Sequence, residues 1–172
     1  TFAKANGKTV GNSLCEDDFL PKAKELQEKA KAAKCELLLP VDTVVAKEFK
    51  AGAENKVVTG DIEAGWQGMD IGPATRKLFA EKLKDAKTIV WNGPMGVFEM
   101  PPFDEGTKAV AQAVADATSK GAKSIIGGGD SASALKKLGL DKKVTHISTG
   151  GGASLEFLEG KKFVCLEILD EK

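Results

Sequence analysis

The 172-residue chain has no net charge, because its 25 Lys and Arg residues balance its 25 Asp and Glu residues. A balanced chain has no overall field to attract a polyanion, which disfavours a general nucleic-acid binder. The sequence also lacks an apolar run of about 20 residues, the length of a membrane-spanning helix, and its first residues lack the pattern of a signal peptide. We expect a soluble, cytoplasmic chain that binds neither nucleic acid nor membrane.

Histidine and cysteine, the common zinc ligands, are scarce. The chain has 1 His and 3 Cys, and Cys15, Cys35 and Cys165 lie far apart without a CxxC pair. An odd number of separated cysteines disfavours both a zinc site and a disulfide framework. We interpret all three as reduced, packed thiols.

The rest of the composition is that of an ordinary globular domain, with 42% hydrophobic and 29% charged residues. A chain of this length corresponds to one domain, or to one domain and a fragment. Glycine is in excess, because 19 of 172 residues is about 11%, compared with about 7% in average proteins. The positions of these glycines carry the functional argument.

The first half of the chain predicts one helix and a small antiparallel sheet. Residues 19–33 repeat Lys, Glu and Ala after an early proline, which predicts an exposed amphipathic helix. The apolar run at 35–39 predicts a buried strand. Residues 42–46 and 56–59 are rich in β-branched side chains and predict an antiparallel pair.

From Asp70 onward, apolar strands alternate with helices. The predicted strands are 88–91, 123–126 and 144–147, and the predicted helices are 72–83, 103–118, 131–138 and 153–158. Strands without polar alternation, each followed by a helix, predict a parallel sheet covered on both faces. The predicted fold class is therefore α/β: a Rossmann-like parallel sheet with helices on both faces, plus a short antiparallel β appendage.

Each of these three strands leads into a glycine-rich loop, at 92–96, 127–130 and 150–152. Ligands of open parallel sheets bind beyond the carboxyl ends of the strands, and helix N-termini opened by glycine bind phosphate. The pattern therefore predicts a polyphosphate ligand. Asp130 at the second loop would repel phosphate unless a cation intervened, which suits Mg²⁺, although a helix N-cap is an alternative role. Glu99 suits a ribose hydroxyl.

Two other phosphate-binding motifs fit this sequence only in part. Residues 7–9 read GKT, like the end of a P-loop, but position 2 is Phe where the motif needs Gly. Residues 127–132 fit the G-x-G-x-x-A dinucleotide fingerprint, but the acidic residue that would bind the ribose is missing after the next strand. A dinucleotide-dependent oxidoreductase domain and a non-catalytic folding or interaction module remain alternatives.

Four long segments, in the same order along the chain, resemble the phosphoglycerate kinase family. They are MDIGP at 69–73, VWNGPMGVFE at 90–99, IGGGDS at 126–131 and HISTGGGASLE at 146–156. The resemblance covers nearly the whole chain and is confined to the C-terminal, nucleotide-binding part of that enzyme. It implies phosphoryl transfer between 1,3-bisphosphoglycerate and ADP in glycolysis, with Mg²⁺ and with ADP or ATP as the substrate nucleotide.

The same resemblance implies a role for each residue of the motifs. The residues implied to border the adenine are Gly68, Met69, Met95 and Phe98. Glu99 is implied to hold the ribose. Those implied to surround the phosphates are Asn92, Gly93, Gly128, Gly129 and Ser131. Asp130 is implied to hold the metal–nucleotide. The catalytic set is implied to be Gly150, Gly151 and Gly152, which open the helix that points at the transferring group and stabilises its charge.

Two features of the family have no counterpart in this sequence. The basic patch that binds phosphoglycerate, and the early lysines that bind phosphates, would both precede Thr1. We therefore expect an N-terminally truncated nucleotide-binding domain at residues 1–160, followed by a C-terminal tail at 161–172. We also expect a monomer that meets 1,3-bisphosphoglycerate or 3-phosphoglycerate only through the missing N-terminal domain, and that does not turn over alone.

Overall fold

The computed structural model describes residues 1–148 and 150–163. The described chain groups into two compact units: unit 1 contains 1–81 and 95–110, and unit 2 contains 82–94, 111–148 and 150–163. The expected domain boundary at 160 remains a prediction, and Thr149, Cys165 and most of the expected tail lie outside the described residues. No helix among the described residues is long and apolar enough to cross a membrane.

The described chain contains helices and strands close to the predicted ones. The helices are α1 (Phe2–Ala5), α2 (Leu20–Ala32), α3 (Pro73–Leu83), α4 (Glu105–Ser119), α5 (Gly129–Lys137) and α6 (Gly151–Leu158). The strands are β1 (Thr43–Ala46), β2 (Asn55–Val58), β3 (Gln67–Ile71), β4 (Thr88–Asn92), β5 (Lys123–Gly127) and β6 (His146–Ser148). Short 3-10 turns occur at Asp17–Phe19 and Asp141–Lys143.

Unit 1 contains an antiparallel sheet with the strand order β2-β1-β3. The predicted pairing of β1 with β2 is confirmed, with Thr43 opposite Val58 and Ala46 opposite Asn55. The third strand, β3, was not predicted. Its Met69 packs with residues of β1 and with Phe103 in the core of this unit, so β3 is a structural part of the appendage.

The predicted strand at 35–39 is wrong. These residues are irregular and belong to neither sheet of the described chain, and Leu37 is 43% exposed. An apolar run indicates burial, but a strand also needs a neighbouring strand to accept and donate its backbone hydrogen bonds. Cys35 is exposed as well, so the prediction of a packed thiol is wrong there, whereas Cys15 is partly buried.

Unit 2 contains a parallel sheet with the strand order β4-β5-β6. Its register places Asn92 opposite Gly127 and Gly127 opposite Ser148, so the carboxyl ends of the three strands are level. The predicted α/β fold, with a parallel sheet and a small antiparallel sheet, is confirmed. The level strand ends set the position of the glycine loops.

Both faces of the parallel sheet carry helices, but they are covered unequally. On one face, the Thr118 hydroxyl of α4 donates to Ser124 Oγ of β5 over 2.8 Å, and Ser124 is fully buried. On the other face, Val90 is 42% and Ile125 37% exposed. These two side chains line a groove of about 430 Å³ together with residues of α6, so α6 covers this face only in part.

Candidate functional site

Three glycine loops meet at the carboxyl edge of the parallel sheet in unit 2. A Cβ atom added to Gly128 would lie 2.8 Å from Asn92 Oδ1. A Cβ atom added to Gly151 would lie 2.9 Å from the Gly128 Cα and 3.1 Å from Asn92 Oδ1. Because these distances leave no room for side chains, the ends of β4 and β5 and the start of α6 are in direct contact. We call residues 92–93, 128–130 and 150–152 the phosphate edge.

Helix α5 presents its N-terminus at the phosphate edge. Gly128 is its N-cap, with a φ of 90° that favours glycine. The helical hydrogen bonds begin with Ala132 N–H, which donates to the Gly128 carbonyl over 3.1 Å. The N–H groups of residues 129–131 therefore lie outside the helical ladder, and they form the positive end of the helix.

Helix α6 begins in the same way. Its helical hydrogen bonds start with Ser154 N–H, which donates to the Gly150 carbonyl over 3.1 Å, so the N–H groups of residues 151–153 lie outside the ladder. The Ser154 hydroxyl also donates to the Gly150 carbonyl, over 2.8 Å. Since Gly151 packs against Gly128, two helix N-termini converge, which is an arrangement suited to a multiply charged anion.

The loop after β4 is fixed by two side chains. Gly93 N–H donates to Ser131 Oγ over 2.8 Å, and Trp91 Nε1 donates to the Gly93 carbonyl over 2.7 Å. Ser131 has no exposed surface and Trp91 is 5% exposed. The Ser131 side chain therefore supports the Gly93 loop from inside the protein, and its implied place around the phosphates stays a prediction.

Asp130 is exposed and is the second residue of α5. It is not the N-cap, since Gly128 occupies that position and no side chain caps this helix. Within residues 1–148 and 150–163, no group of three or more His, Cys, Asp or Glu side chains could enclose a metal ion. A single exposed carboxylate can be one oxygen ligand of Mg²⁺, which takes its other ligands from phosphates and water.

Unit 1 carries the residues implied to bind the nucleoside: Gly68, Met69, Met95, Phe98 and Glu99, here called the nucleoside set. Val97 N–H donates to the Met69 carbonyl over 3.0 Å, so the segment 95–100 runs beside β3. Thr107 Oγ1 of α4 accepts a hydrogen bond from Met95 N–H over 3.0 Å. These contacts bring the members of the set together.

The side chains of the nucleoside set differ in accessibility. Glu99 and Gly68 are exposed, whereas Met69 is 3% and Phe98 9% exposed. Because the Met69 side chain lies in the core cluster with Val44 and Phe103, only its backbone is available to border a ligand. Glu99 is the member best placed to accept hydrogen bonds from hydroxyl groups.

Sequence reasoning missed Asp70, which follows Met69 in β3. Its side chain has no exposed surface, and it contacts the segment that carries Phe98 and Glu99 through Gly96 and the start of α4 through Gly106. The sequence signal for such a residue was an acid placed directly between two apolar residues, Met69 and Ile71. An acid that is buried with its apolar neighbours needs a partner, because charged side chains are seldom fully buried without one.

Comparison with known proteins decides the family. Residues 1–161 match the family described as phosphoglycerate kinase. The chain belongs to the phosphoglycerate kinase family. This membership confirms the resemblance in the four motifs and decides against the dinucleotide-dependent oxidoreductase.

Two curated phosphoglycerate kinases illustrate the relationship. Those of Thermosipho africanus (strain TCF52B) and Chloroherpeton thalassium (strain ATCC 35110 / GB-78) are each 58% identical to this chain over 94% of its length. Among solved structures, phosphoglycerate kinase from Coxiella burnetii is 46% identical and matches 92% of the chain with a TM-score of 0.87. That from Pyrococcus horikoshii OT3 is 32% identical and matches 96% of the chain with a TM-score of 0.77.

The chain spans only part of these phosphoglycerate kinases. It covers 41% of each curated relative and 40% and 41% of the two solved chains. The residues of the phosphate edge and the nucleoside set all lie within the matched range 1–161.

Proposed function

We propose that this chain is the nucleotide-binding part of a phosphoglycerate kinase and that it binds Mg-ADP or Mg-ATP. The observation that carries the proposal is the convergence of the α5 and α6 N-termini at Gly128 and Gly151. Two helix N-termini at one edge suit the phosphate chain of a nucleotide. Membership of the phosphoglycerate kinase family over this range of the chain supports the same ligand.

The phosphates bind, in this proposal, to backbone N–H groups rather than to charged side chains. Gly129, Asp130, Gly151 and Gly152 supply N–H groups outside the helical ladders. Two helix ends, each equivalent to about half a positive charge, favour an anion at this edge. Asn92 sets the spacing between the loops, and Ser131 holds Gly93 in its conformation.

The task proposed for the nucleoside set is to recognise the base and the ribose. Gly68 and the Met69 backbone border the adenine together with Met95 and Phe98, and the exposed carboxylate of Glu99 accepts hydrogen bonds from the ribose hydroxyls. The hydrogen bond from Val97 N–H to the Met69 carbonyl keeps these residues adjacent. The set therefore provides recognition of a nucleoside, which the phosphate edge alone does not.

Asp130 is the residue that would hold Mg²⁺ with the nucleotide. When bound, the cation would neutralise charge on the phosphate oxygens. The chain's own contribution to the transferring group is the N-terminus of α6 at residues 150–152, which stabilises negative charge without acid–base chemistry.

The reaction of the whole enzyme, phosphoryl transfer between 1,3-bisphosphoglycerate and ADP, needs a donor and an acceptor held in line. Such positioning supplies roughly 7–11 kcal/mol of the barrier, whereas one helix dipole supplies about 0.3–2 kcal/mol. We propose that the 172-residue chain binds nucleotide and does not turn over by itself. A coupled assay with ATP, Mg²⁺ and 3-phosphoglycerate should remain at background.

Calorimetry with ADP and ATP, in the presence and absence of Mg²⁺, tests nucleotide binding. We expect saturable binding that Mg²⁺ strengthens, and we expect Asp130→Asn to remove the Mg²⁺ dependence. Asp116→Asn is the matched control, because Asp116 is an exposed carboxylate of α4 that bonds Gln112. NADH is the comparison ligand and is titrated in the same way. No saturable binding at millimolar ADP would contradict the proposal, and so would tight NADH binding together with weak ADP binding.

A further inference from the structure

Asp70 is a buried carboxylate that receives three hydrogen bonds in unit 1. Gly106 N–H donates to Oδ2 over 2.6 Å, and Ile71 N–H donates to Oδ1 over 2.8 Å. The Arg76 guanidinium of α3 lies 3.4 Å from Oδ2. Gly106 belongs to the first turn of α4, so one carboxylate links β3 to the starts of two helices.

Two glycines make room for this carboxylate. A methyl group added at Gly96 or at Gly106 would overlap the Asp70 carboxylate. Gly96 lies in the segment 95–100, which carries Phe98 and Glu99 of the nucleoside set. The carboxylate therefore lies in close contact with both that segment and the first turn of α4. In the sequence, Asp70 directly follows Gly68 and Met69 of the nucleoside set.

Two further hydrogen bonds join β3, the segment 95–100 and α4 around Asp70. Val97 N–H donates to the Met69 carbonyl over 3.0 Å, and Met95 N–H donates to Thr107 Oγ1 of α4 over 3.0 Å. Neither bond requires a charged group. The carboxylate adds a charge-assisted bond to Gly106, which is stronger than a neutral one.

The charge on Asp70 is costly to the fold. Burial raises its pKa to about 6, because desolvation outweighs the hydrogen bonds from Gly106 and Ile71 and the nearby Arg76 charge, and the neighbouring Asp104 raises it further. The other charged groups nearby are Lys108, which bonds Asp104 over 2.9 Å, and Asp42, which also lies near Arg76. A neutral side chain at this position would avoid that desolvation cost at neutral pH.

We propose that Asp70 is a positioning residue for nucleoside recognition: its carboxylate fixes the first turn of α4 through Gly106, and the Thr107 hydroxyl of that turn holds the segment that carries Phe98 and Glu99. The inference rests on the proposed function, since it assigns a task within the nucleoside set. It predicts that protonation of Asp70 loosens the segment and weakens binding of the nucleoside without affecting the phosphate edge.

The test uses Asp70→Asn, with Asp42→Asn as the matched control. Asp42 is also a buried carboxylate of unit 1, and it accepts hydrogen bonds from Ala74 N–H and Thr75 N–H at the start of α3. Both variants remove a buried charge next to a helix start, but only Asp70 is wedged against Gly96. The affinities for ADP and for inorganic pyrophosphate are measured by calorimetry at pH 7.5 and pH 5.

At pH 7.5 we expect Asp70→Asn to weaken ADP binding about fivefold, with pyrophosphate affinity unchanged within about twofold. At pH 5 the wild-type carboxyl is largely protonated, so the wild type and Asp70→Asn should bind ADP equally. Comparison at one pH cancels the protonation of the ligand itself. Asp42→Asn should leave both affinities unchanged within about twofold at both pH values.

The other outcomes overturn either the positioning role of Asp70 or the proposed function. Equal ADP affinity of wild type and Asp70→Asn at pH 7.5, or an equal loss of pyrophosphate affinity, overturns the positioning role alone. Failure of the wild type to bind ADP overturns the proposed function. If Asp70→Asn does not fold, the wild-type ratio of ADP affinity to methyl diphosphate affinity decides, because the phosphates of these two diphosphate esters titrate alike. This ratio should fall about fivefold between pH 7.5 and pH 5, and a constant ratio contradicts the inference.

Discussion

Substitution of Gly151 by alanine should destabilise unit 2, because the phosphate edge has no space for another carbon atom. The added Cβ would lie 2.9 Å from Gly128 Cα, 3.1 Å from Gly128 N and 3.1 Å from Asn92 Oδ1. Two of these three atoms belong to the backbone of a loop that is fixed by the hydrogen bond from Gly128 N–H to the Ser148 carbonyl. The Gly128 backbone therefore cannot move away freely from the added carbon atom.

The size of the effect follows from two opposing contributions. Overpacking typically costs about 1–3 kcal/mol, and contact with backbone places this site at about 2–3 kcal/mol. Replacing glycine by alanine in the first turn of α6 returns up to about 1 kcal/mol, the value for a helix interior. The net loss is about 1–2 kcal/mol, which corresponds to a Tm lowered by roughly 2–8 °C for a chain of this size. Displaced N–H groups should also weaken ADP binding about tenfold.

The matched control for stability is Gly152→Ala. Nothing lies within 4 Å of a Cβ atom added there, so only the helix contribution applies, and the Tm should rise by roughly 2–4 °C. Thermal melts followed by circular dichroism measure both variants, and calorimetry with ADP measures binding by Gly151→Ala. A Gly151→Ala protein as stable as Gly152→Ala would refute the close approach of α6 to Gly128.

Three further predictions concern buried polar groups. The folded-state pKa of Asp70 is about 6 and its ordinary value is 3.8, so the wild type should lose about 2 kcal/mol of stability relative to Asp70→Asn as pH rises from 4 to 7. A stability difference in urea unfolding that stays constant over this range contradicts the expectation. Asp42→Ala should cost about 2 kcal/mol at pH 7 in urea unfolding, since Thr75 and Ala74 N–H groups lose their acceptor. Ser131→Ala should cost about 1 kcal/mol and weaken ADP binding, because Gly93 N–H loses its partner; unchanged affinity in calorimetry would remove the positioning role of Ser131.

The pH dependence of Asp42 should have the opposite sign. Burial alone would raise its pKa, but the hydrogen bonds from Thr75 and Ala74 and the Arg76 charge together hold it below 3.8. A lowered folded-state pKa stabilises the fold above the ordinary value and loses that effect as pH falls. Asp42 and Asp70 thus differ in the sign of their effect although both are buried acids of unit 1.

The parallel sheet and its loops could be predicted because their signals are local. Continuous apolar strands at 88–91 and 123–126, each followed by a glycine loop and a helix, correspond closely to β4 and β5. The level strand ends follow from parallel pairing, so the meeting of the glycine loops at one edge was also predictable.

Other features depend on contacts that no local pattern encodes. β3 includes Gly68 and Asp70, which are poor strand formers, and it is a strand because β1 pairs with it. Residues 35–39 show the converse, since an apolar run without a neighbouring strand stays irregular. The burial of Ser131 and Asp70 likewise follows from packing, so their positioning roles emerge only from the structure.

Amide chemical-shift mapping with ADP is the most direct test of phosphate binding by the converging helix ends. The N–H groups of Gly129, Asp130, Gly151 and Gly152 lie outside the helical ladders of α5 and α6, so their resonances should shift most and saturate with one affinity. Pyrophosphate should shift the same amides. Saturable ADP binding that leaves these four amides unshifted would contradict the assignment of the phosphate edge.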